Sequence, residues 1–320
     1  MIVVTGALGF IGSCMLKKLN NEGHTEIFIV DDFSKHEKDL NIKDRLYYDY
    51  FERDTFFSTS LYSSHIDFIL HIGARTDTTE FDKNIFNKLN LNYSKTVWNY
   101  CVKYKIPLIY VSSAATYGDG KLGYDDDTSL IPSLKPLNLY GESKNDFDKW
   151  VLEQKETPPN WYGLKFFNVF GPNEYHKNRM SSVIYHAYKQ IIKNGVVELF
   201  KSHVLEYKNG EQLRDFIYIK DVIDVMYFLM TQKPKSDIYN LGTGKARSFL
   251  DLVNAVFHSL DKNPKIEFID MPIDIRNKYQ YFTEARMNKL YSTGYIKSFY
   301  TLENAVDDYV KNYLITNSYY

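Results

Sequence analysis

The apolar run Ile2-Val3-Val4 is unbroken, too short for a helix and followed at once by glycines, which predicts a short buried strand. From Phe10 to Asn20 the apolar positions recur at helical spacing, and Glu26 to Val30 returns to a strand-like run. That is one βαβ unit. Further β-like runs stand at Phe68-Ile69-Leu70-His71, at Pro107 to Ser112 and at Tyr162 to Asn168, with stretches between them long enough for crossover helices. Alternation of this kind predicts a parallel, doubly wound sheet. After Gly171-Pro172 the texture changes to a helical Ser181 to Lys193, a polar insertion from Lys201 to Gln212 and mixed segments up to a Tyr-rich tail. The pattern predicts one domain over 1–167, with returns near 214–240 and 281–294. A second, smaller one takes 168–213, 241–280 and 295–320.

Composition narrows the class. The 320 residues carry 39 Lys+Arg against 40 Asp+Glu, and a net charge of -1 lacks the basic excess that neutralising a phosphate backbone requires, so no nucleic acid partner is expected. Hydrophobics at 44% and charged residues at 25% lie far from the disordered corner, so the chain should fold throughout. Two cysteines, Cys14 and Cys101, lie far apart in apolar surroundings and support neither a disulfide framework nor a metal site. A reducing cytoplasm is the expected compartment. No basic stretch precedes a long apolar one at the start, and no run of ~18 apolar residues occurs, so export and membrane insertion are not expected.

Candidate chemistry begins at Thr5-Gly6-Ala7-Leu8-Gly9-Phe10-Ile11-Gly12, a G-x-x-G-x-x-G directly after a strand and before a helix. Such a turn needs residues without Cβ where the backbone bends and where a pyrophosphate approaches, and Gly12 lets the helix pack close to the sheet. The helix N-terminus then offers free N–H donors and a favourable dipole to the anion. With the strand pattern, this makes the fold class α/β: a Rossmann-type doubly wound parallel sheet with a smaller α/β substrate-binding domain. Asp31-Asp32 ends the second strand, where an acid would bond the adenosine ribose 2′-hydroxyl and favour NAD. Lys35, Lys38 and Arg53 follow, cations able to receive a 2′-phosphate, so these residues leave NAD and NADP both open.

Tyr140-Gly141-Glu142-Ser143-Lys144 sets a tyrosine and a lysine four apart, on one face of a helix. A nearby ammonium and the positive nicotinamide ring would stabilise the phenolate and lower a tyrosine pKa of about 10 towards one useful for proton transfer. Among 28 tyrosines a Y-x-x-x-K match is cheap, and its position is what gives it weight. It follows the run Val111 to Gly118, a strand that ends in hydroxyls where a doubly wound sheet binds its ligands. Ser113 would hydrogen-bond the reacting oxygen.

The glycine turn, the Ser113/Tyr140/Lys144 set and the late run Arg214 to Val222 resemble the extended short-chain dehydrogenase/reductase family that modifies nucleotide sugars. Within it the chain is similar to the epimerases of ADP-bound heptose, in His71 to Glu80, Ser112 to Gly118, Asn168 to Pro172 with His176-Lys177, Tyr239 to Gly244 and Tyr279 to Thr283. The resemblance runs nearly end to end. It implies a cytoplasmic isomerase holding NADP, acting at C6″ of ADP-heptose through a transient ketone, in the supply of lipopolysaccharide heptose. It also implies a homo-oligomer, a pentamer. Two acid/base groups are then needed, one on each face of the sugar carbon: Tyr140 and Lys177. Carried over position by position, Asn168, His186, Phe200, Arg214 and Tyr279 would join Ser113 in holding the substrate, with Arg214 suited to the diphosphate. Gly6, Gly9, Phe10, Ile11, Gly12, Asp31, Asp32, Lys38, Arg53, Ala74, Asn90, Lys144 and His176 would hold the cofactor. Two features depart from the family: Arg179 stands where a serine is expected, and the loop Lys201 to Leu213 is longer than the usual spacing. Rival readings are a UDP-sugar 4-epimerase of the same fold and a non-catalytic dinucleotide sensor, although a sensor has no reason to keep Tyr140 and Lys144 together. Ala114-Ala115-Thr116 stand where a dehydratase needs an acidic pair.

Overall fold

The run Ile2–Thr5 is buried at every position, because the strand it forms lies inside a sheet with neighbours on both edges. The structure, a computed structural model, describes residues 1–276 and 279–320. Its strands are β1 (Ile2–Thr5), β2 (Ile27–Asp31), β3 (Asp49–Glu52), β4 (Phe68–His71), β5 (Leu108–Ser113), β6 (Trp161–Phe166), β7 (Asn168–Phe170), β8 (Val197–Phe200), β9 (Leu213–Tyr218), β10 (Asp237–Leu241), β11 (Ala246–Ser248) and β12 (Ile266–Ile269). Seven form one parallel sheet in the order β10-β6-β5-β4-β1-β2-β3, the doubly wound arrangement expected. The order reverses between β1 and β4, and in sheets of this type ligands bind in the crevice at the carboxyl ends beside that switch point. Helices cover the sheet: Phe10–Asn21 packs on Ile219–Gln232, while Tyr93–Tyr104 and Leu139–Leu152 pack against β5.

Two departures from the expected elements have physical causes. β3 carries no apolar run, since Asp49, Tyr50 and Glu52 are exposed on the outermost strand. The run Tyr162 to Asn168 is not one strand but two. Phe167 interrupts it, with its N–H donating to the Leu241 carbonyl at 3.1 Å, and Asn168 then leaves the large sheet to pair with Phe216. There β7, β9 and β11 form a three-stranded sheet, and β8 pairs with β12 in a two-stranded one. Among the described residues no helix is long and apolar enough to cross a membrane. Cys14 and Cys101 are buried free thiols.

Candidate active site

The glycine turn is built by close contact. Gly6 sits at φ +67°, and a Cβ there would stand 2.5 Å from the Gly73 Cα in the loop after β4. A Cβ at Gly12 would stand 2.1 Å from the Gly6 carbonyl oxygen, so only glycine lets the helix Phe10–Asn21 start this near the turn. Gly9 is the N-cap of that helix and supplies no side-chain cap, which leaves N–H groups at the helix start available to an anion. A cradle that a Cβ would fill, opening onto such a helix end, fits a dinucleotide pyrophosphate.

The acids at the end of β2 divide the work. Asp31 is buried and accepts the Leu8 N–H at 2.9 Å, so its carboxylate ties the glycine turn to the strand, and Lys38 stands 3.4 Å from it. Asp32 is held below the usual carboxylate range by hydrogen bonds from Ser34, with Arg53, 4.0 Å away, and Lys35 assisting. Beyond β4, beside Ala74, the buried Asn90 bonds both the Arg75 N–H (2.8 Å) and the Arg75 carbonyl (3.0 Å). It also donates to the Ser143 hydroxyl at 2.9 Å, which fastens that loop to the helix Leu139–Leu152. Asn90 reaches them from a π-helical turn, Asn87–Asn92.

Tyr140 and Lys144 lie one turn apart on the helix Leu139–Leu152, whose first turn is capped by the Asn138 side chain accepting the Gly141 N–H at 2.8 Å. Burial pushes the Tyr140 phenol above its ordinary value and Asp148 adds to this, while hydrogen bonding with Ser113 pulls it down. The Lys144 ammonium donates to the Val111 carbonyl at 2.7 Å, and burial lowers its pKa to about 8, against the opposing charge of Asp148. The lowering of the phenol expected from the sequence is thus not produced by the protein alone, because burial outweighs the nearby groups.

Sequence reasoning missed what lies beneath. Asp148, one turn past Lys144, forms a 2.7 Å ion pair with Lys165 of β6, both side chains fully buried. Asp148 also accepts from Ser112 (2.7 Å) and Tyr110 (3.2 Å), and Lys165 donates to Thr116 at 2.8 Å. The repeat Tyr140, Lys144, Asp148 at intervals of four was the available signal. His71, also missed, is buried between Thr5 (2.8 Å) and Ser94 (2.9 Å), and burial next to the charge of Lys144 holds it at about 3.

The loop after β7 delivers His176 and Lys177. The buried Glu174 pins it, accepting from the Ser182 N–H and hydroxyl at 2.6 Å each and from the Tyr309 hydroxyl at 3.0 Å. The His176 ring is 3.2 Å from the Asn41 amide, which in turn donates to the Leu8 carbonyl, so this loop meets the glycine turn. Burial is the main cause that lowers His176 to about 4. The Lys177 ammonium lies 5.4 Å from the centre of the Phe10 ring, and burial depresses its pKa against the raising effect of Glu174. Arg179 reaches the loop after β4, where it bonds Asp77 at 3.1 Å and also Thr79.

On the substrate side, Arg214 of β9 is buried and makes no ion pair with a carboxylate among the described residues. Its guanidinium lies over Tyr279 (5.1 Å) and Phe249 (5.7 Å) and donates to the carbonyls of Leu213 and Gln280. Such a cation is costly unless an anion completes it. Phe200 ends β8, its carbonyl accepting from Gln212, two residues before Arg214. Asn168 is exposed at the start of β7. His186 is half-buried in the first turn of the helix Val183–Asn194 beside the Tyr185 ring.

The NAD dependent epimerase/dehydratase family model matches residues 2–242. The ADP-L-glycero-D-manno-heptose-6-epimerase of Fusobacterium nucleatum is 49% identical over 331 residues, covering 100% of both chains. The enzyme of the same name from Nitratidesulfovibrio vulgaris is 47% identical over 98% of both. Among solved structures, the Helicobacter pylori ADP-L-glycero-D-manno-heptose-6-epimerase aligns with a TM-score of 0.80 at 27% identity, over 97% of this chain and 95% of that one. A Thermus thermophilus UDP-glucose 4-epimerase in complex with NAD, at TM-score 0.75 and 20% identity over 97% of this chain and 99% of that one, shares the fold.

Proposed function

The chain belongs to the NAD dependent epimerase/dehydratase family, and from that premise we propose that it inverts C6″ of ADP-D-glycero-D-manno-heptose to give the L-glycero epimer. The observation that carries the reading is a pair of acid/base groups. Tyr140, beside Ser113 and Lys144, and Lys177, over Phe10, come from different loops and helices at the carboxyl edge of one sheet. Inversion needs such a pair, because one proton donor cannot serve both faces of a carbon without moving.

A nicotinamide dinucleotide on the glycine turn supplies the hydride acceptor and donor. NADP is the form we favour, supported by Lys38 and Arg53 beside Asp31 and Asp32, where a 2′-phosphate would find cations. Ser113 orients the C6″ oxygen and Tyr140 takes its proton. Once the ketone has turned over in the pocket, Lys177 returns a proton to the oxygen on the other face. Arg214 binds the diphosphate and keeps the nucleotide end fixed while the sugar end turns. The enzyme works in the cytoplasm as a homo-oligomer, a compartment in keeping with its two buried free thiols.

Incubation with ADP-D-glycero-D-manno-heptose and, separately, with UDP-glucose tests the reading. Epimer formation from the first alone, by proton NMR, is the expected result, and turnover of UDP-glucose alone would overturn it. Denaturing the purified protein and assaying the released dinucleotide enzymatically decides between NADP and NAD.

A further inference from the structure

The polar stretch between β8 and β9 contains neither strand nor helix. It is nevertheless ordered by specific bonds. The Ser202 N–H donates to the Asn209 side chain at 2.9 Å, which closes the loop on itself, and the His203 N–H donates to the Tyr281 hydroxyl at 3.2 Å. Its single aromatic residue, Tyr207, stacks on Tyr281 with ring centres 5.7 Å apart and planes 30° apart. Tyr281 meets Tyr279 edge-on at 5.2 Å, and Tyr279 carries the Arg214 guanidinium at 5.1 Å. Four side chains therefore run in a row from the buried Arg214, which has no carboxylate partner among the described residues, to a ring on a surface loop.

Packing alone gives a poor account of the last ring. Tyr207 is half-buried, its flanking residues Glu206 and Lys208 are exposed, and Leu205 is fully so, which means the loop contributes almost nothing to the core. One face of Tyr207 is taken by Tyr281, and the row leads directly to the place where a diphosphate would sit. In a nucleoside diphosphate the base lies one ribose away from the diphosphate. An aromatic ring at the outer end of the row that starts at Arg214 offers it a flat apolar surface, and base-on-aromatic stacking is favourable for any base.

We infer that Tyr207 is the platform on which the base of the nucleotide-sugar substrate stacks, so that the loop between β8 and β9 sets nucleotide affinity while Arg214 holds the diphosphate. The inference rests on the ADP-heptose reading above. It assigns Tyr207 to binding and not to proton transfer.

The test uses the cofactor-saturated protein, so that the glycine turn is filled, and titrates ADP and inorganic diphosphate separately by calorimetry. The variants are Tyr207→Ala and Tyr207→Phe. Tyr207→Ala is expected to weaken ADP on the order of 10-fold, the usual worth of one base stack, and to leave inorganic diphosphate unchanged. Tyr207→Phe keeps the ring and should bind ADP within about 2-fold of the parent. In turnover, Tyr207→Ala should raise KM and leave kcat unchanged. Equal ADP affinity in parent and Tyr207→Ala would overturn the stacking assignment and leave the ADP-heptose reading standing. Equal weakening of ADP and diphosphate would also overturn it, since the loop would then act only by shape. Failure of the parent itself to bind ADP would remove the substrate reading, and this inference with it.

Discussion

Removing one half of the Asp148–Lys165 pair should cost more than removing both. Each side chain is fully buried and they meet at 2.7 Å, so Lys165→Met leaves a carboxylate, and Asp148→Asn an ammonium, without its counter-charge. Breaking a buried pair from one side costs ~3–5 kcal/mol, a large share of a total stability of about 5–15 kcal/mol. In the double variant the amide oxygen introduced by Asp148→Asn still accepts from Ser112, the amide nitrogen, standing where the other carboxylate oxygen was, donates to the Tyr110 hydroxyl oxygen, and no charge is stranded. It should return to within about 1–2 kcal/mol of the parent. Urea unfolding by circular dichroism reads this as a large drop in midpoint for each single variant and recovery in the double, at unchanged slope. The pair also has a catalytic consequence. Asp148 is the charge that raises Lys144 against burial, so Asp148→Asn should push Lys144 further below about 8 and move the alkaline limb of the rate profile to lower pH. In Lys165→Met that limb should stay or move up. Single variants within about 1 kcal/mol of the parent, a double no better than the singles, or one common alkaline limb would refute the reasoning.

Lys177→Met should slow epimerisation ~10²–10⁴-fold with cofactor content and thermal unfolding unchanged, as should Tyr140→Phe, which lacks only the transferable proton. Turnover within a few fold of the parent by either would remove that residue from the pair. His71 binds its proton less readily folded (about 3) than unfolded (about 6.5), so its contribution to stability is present above pH 6.5 and lost as pH falls towards 3. The parent should therefore lose about 2 kcal/mol more than His71→Gln between pH 7 and 5 in urea titrations. The raised carboxyls of Asp126 and Asp221 act oppositely but cancel in that difference. Gly12→Ala should cost about 2–3 kcal/mol, because its Cβ would meet backbone that no rotamer can avoid. Gly9→Val, where the nearest contact is 3.2 Å, should fold but retain no cofactor, and so melt below the cofactor-loaded parent while matching the parent stripped of cofactor.

What could be read from the chain was whatever is local. Ile2–Thr5 and Phe68–His71 announce themselves as apolar runs because both faces of a central parallel strand are buried. Asp49–Glu52 does not, since an edge strand can expose its side chains and owes its existence to the backbone of Ile27–Asp31. The break at Phe167 was hidden for a different reason: Phe166-Phe167 keeps the run apolar while the pairing partner changes from Ser113 to Phe216, and pairing is not written in composition. The same limit applies to the site. Tyr140 and Lys144 share a helical turn and were legible, whereas Lys165 sits inside a strand-like run and acquires meaning only when β6 brings it beneath Asp148. Glu174 was likewise invisible, because its partners Ser182 and Tyr309, the latter 135 residues away, meet it only once the chain has folded.

The strand order also has a temporal side. β1 to β6 are complete once residue 166 has been made, yet β10, which covers the outer edge of β6, begins only at Asp237. At a synthesis rate of ~5–20 residues per second, the intervening chain takes roughly 4–14 s to emerge from the ribosome. For that interval Trp161-Tyr162-Gly163-Leu164-Lys165-Phe166 presents an unpaired apolar edge to its surroundings. Lys165, the one charge in that strand, is drawn inward to Asp148 and cannot guard it. A nascent chain of this protein is thus most exposed to aggregation between its sixth and tenth strands, and holdase chaperones should bind stalled chains of that length more than shorter or finished ones.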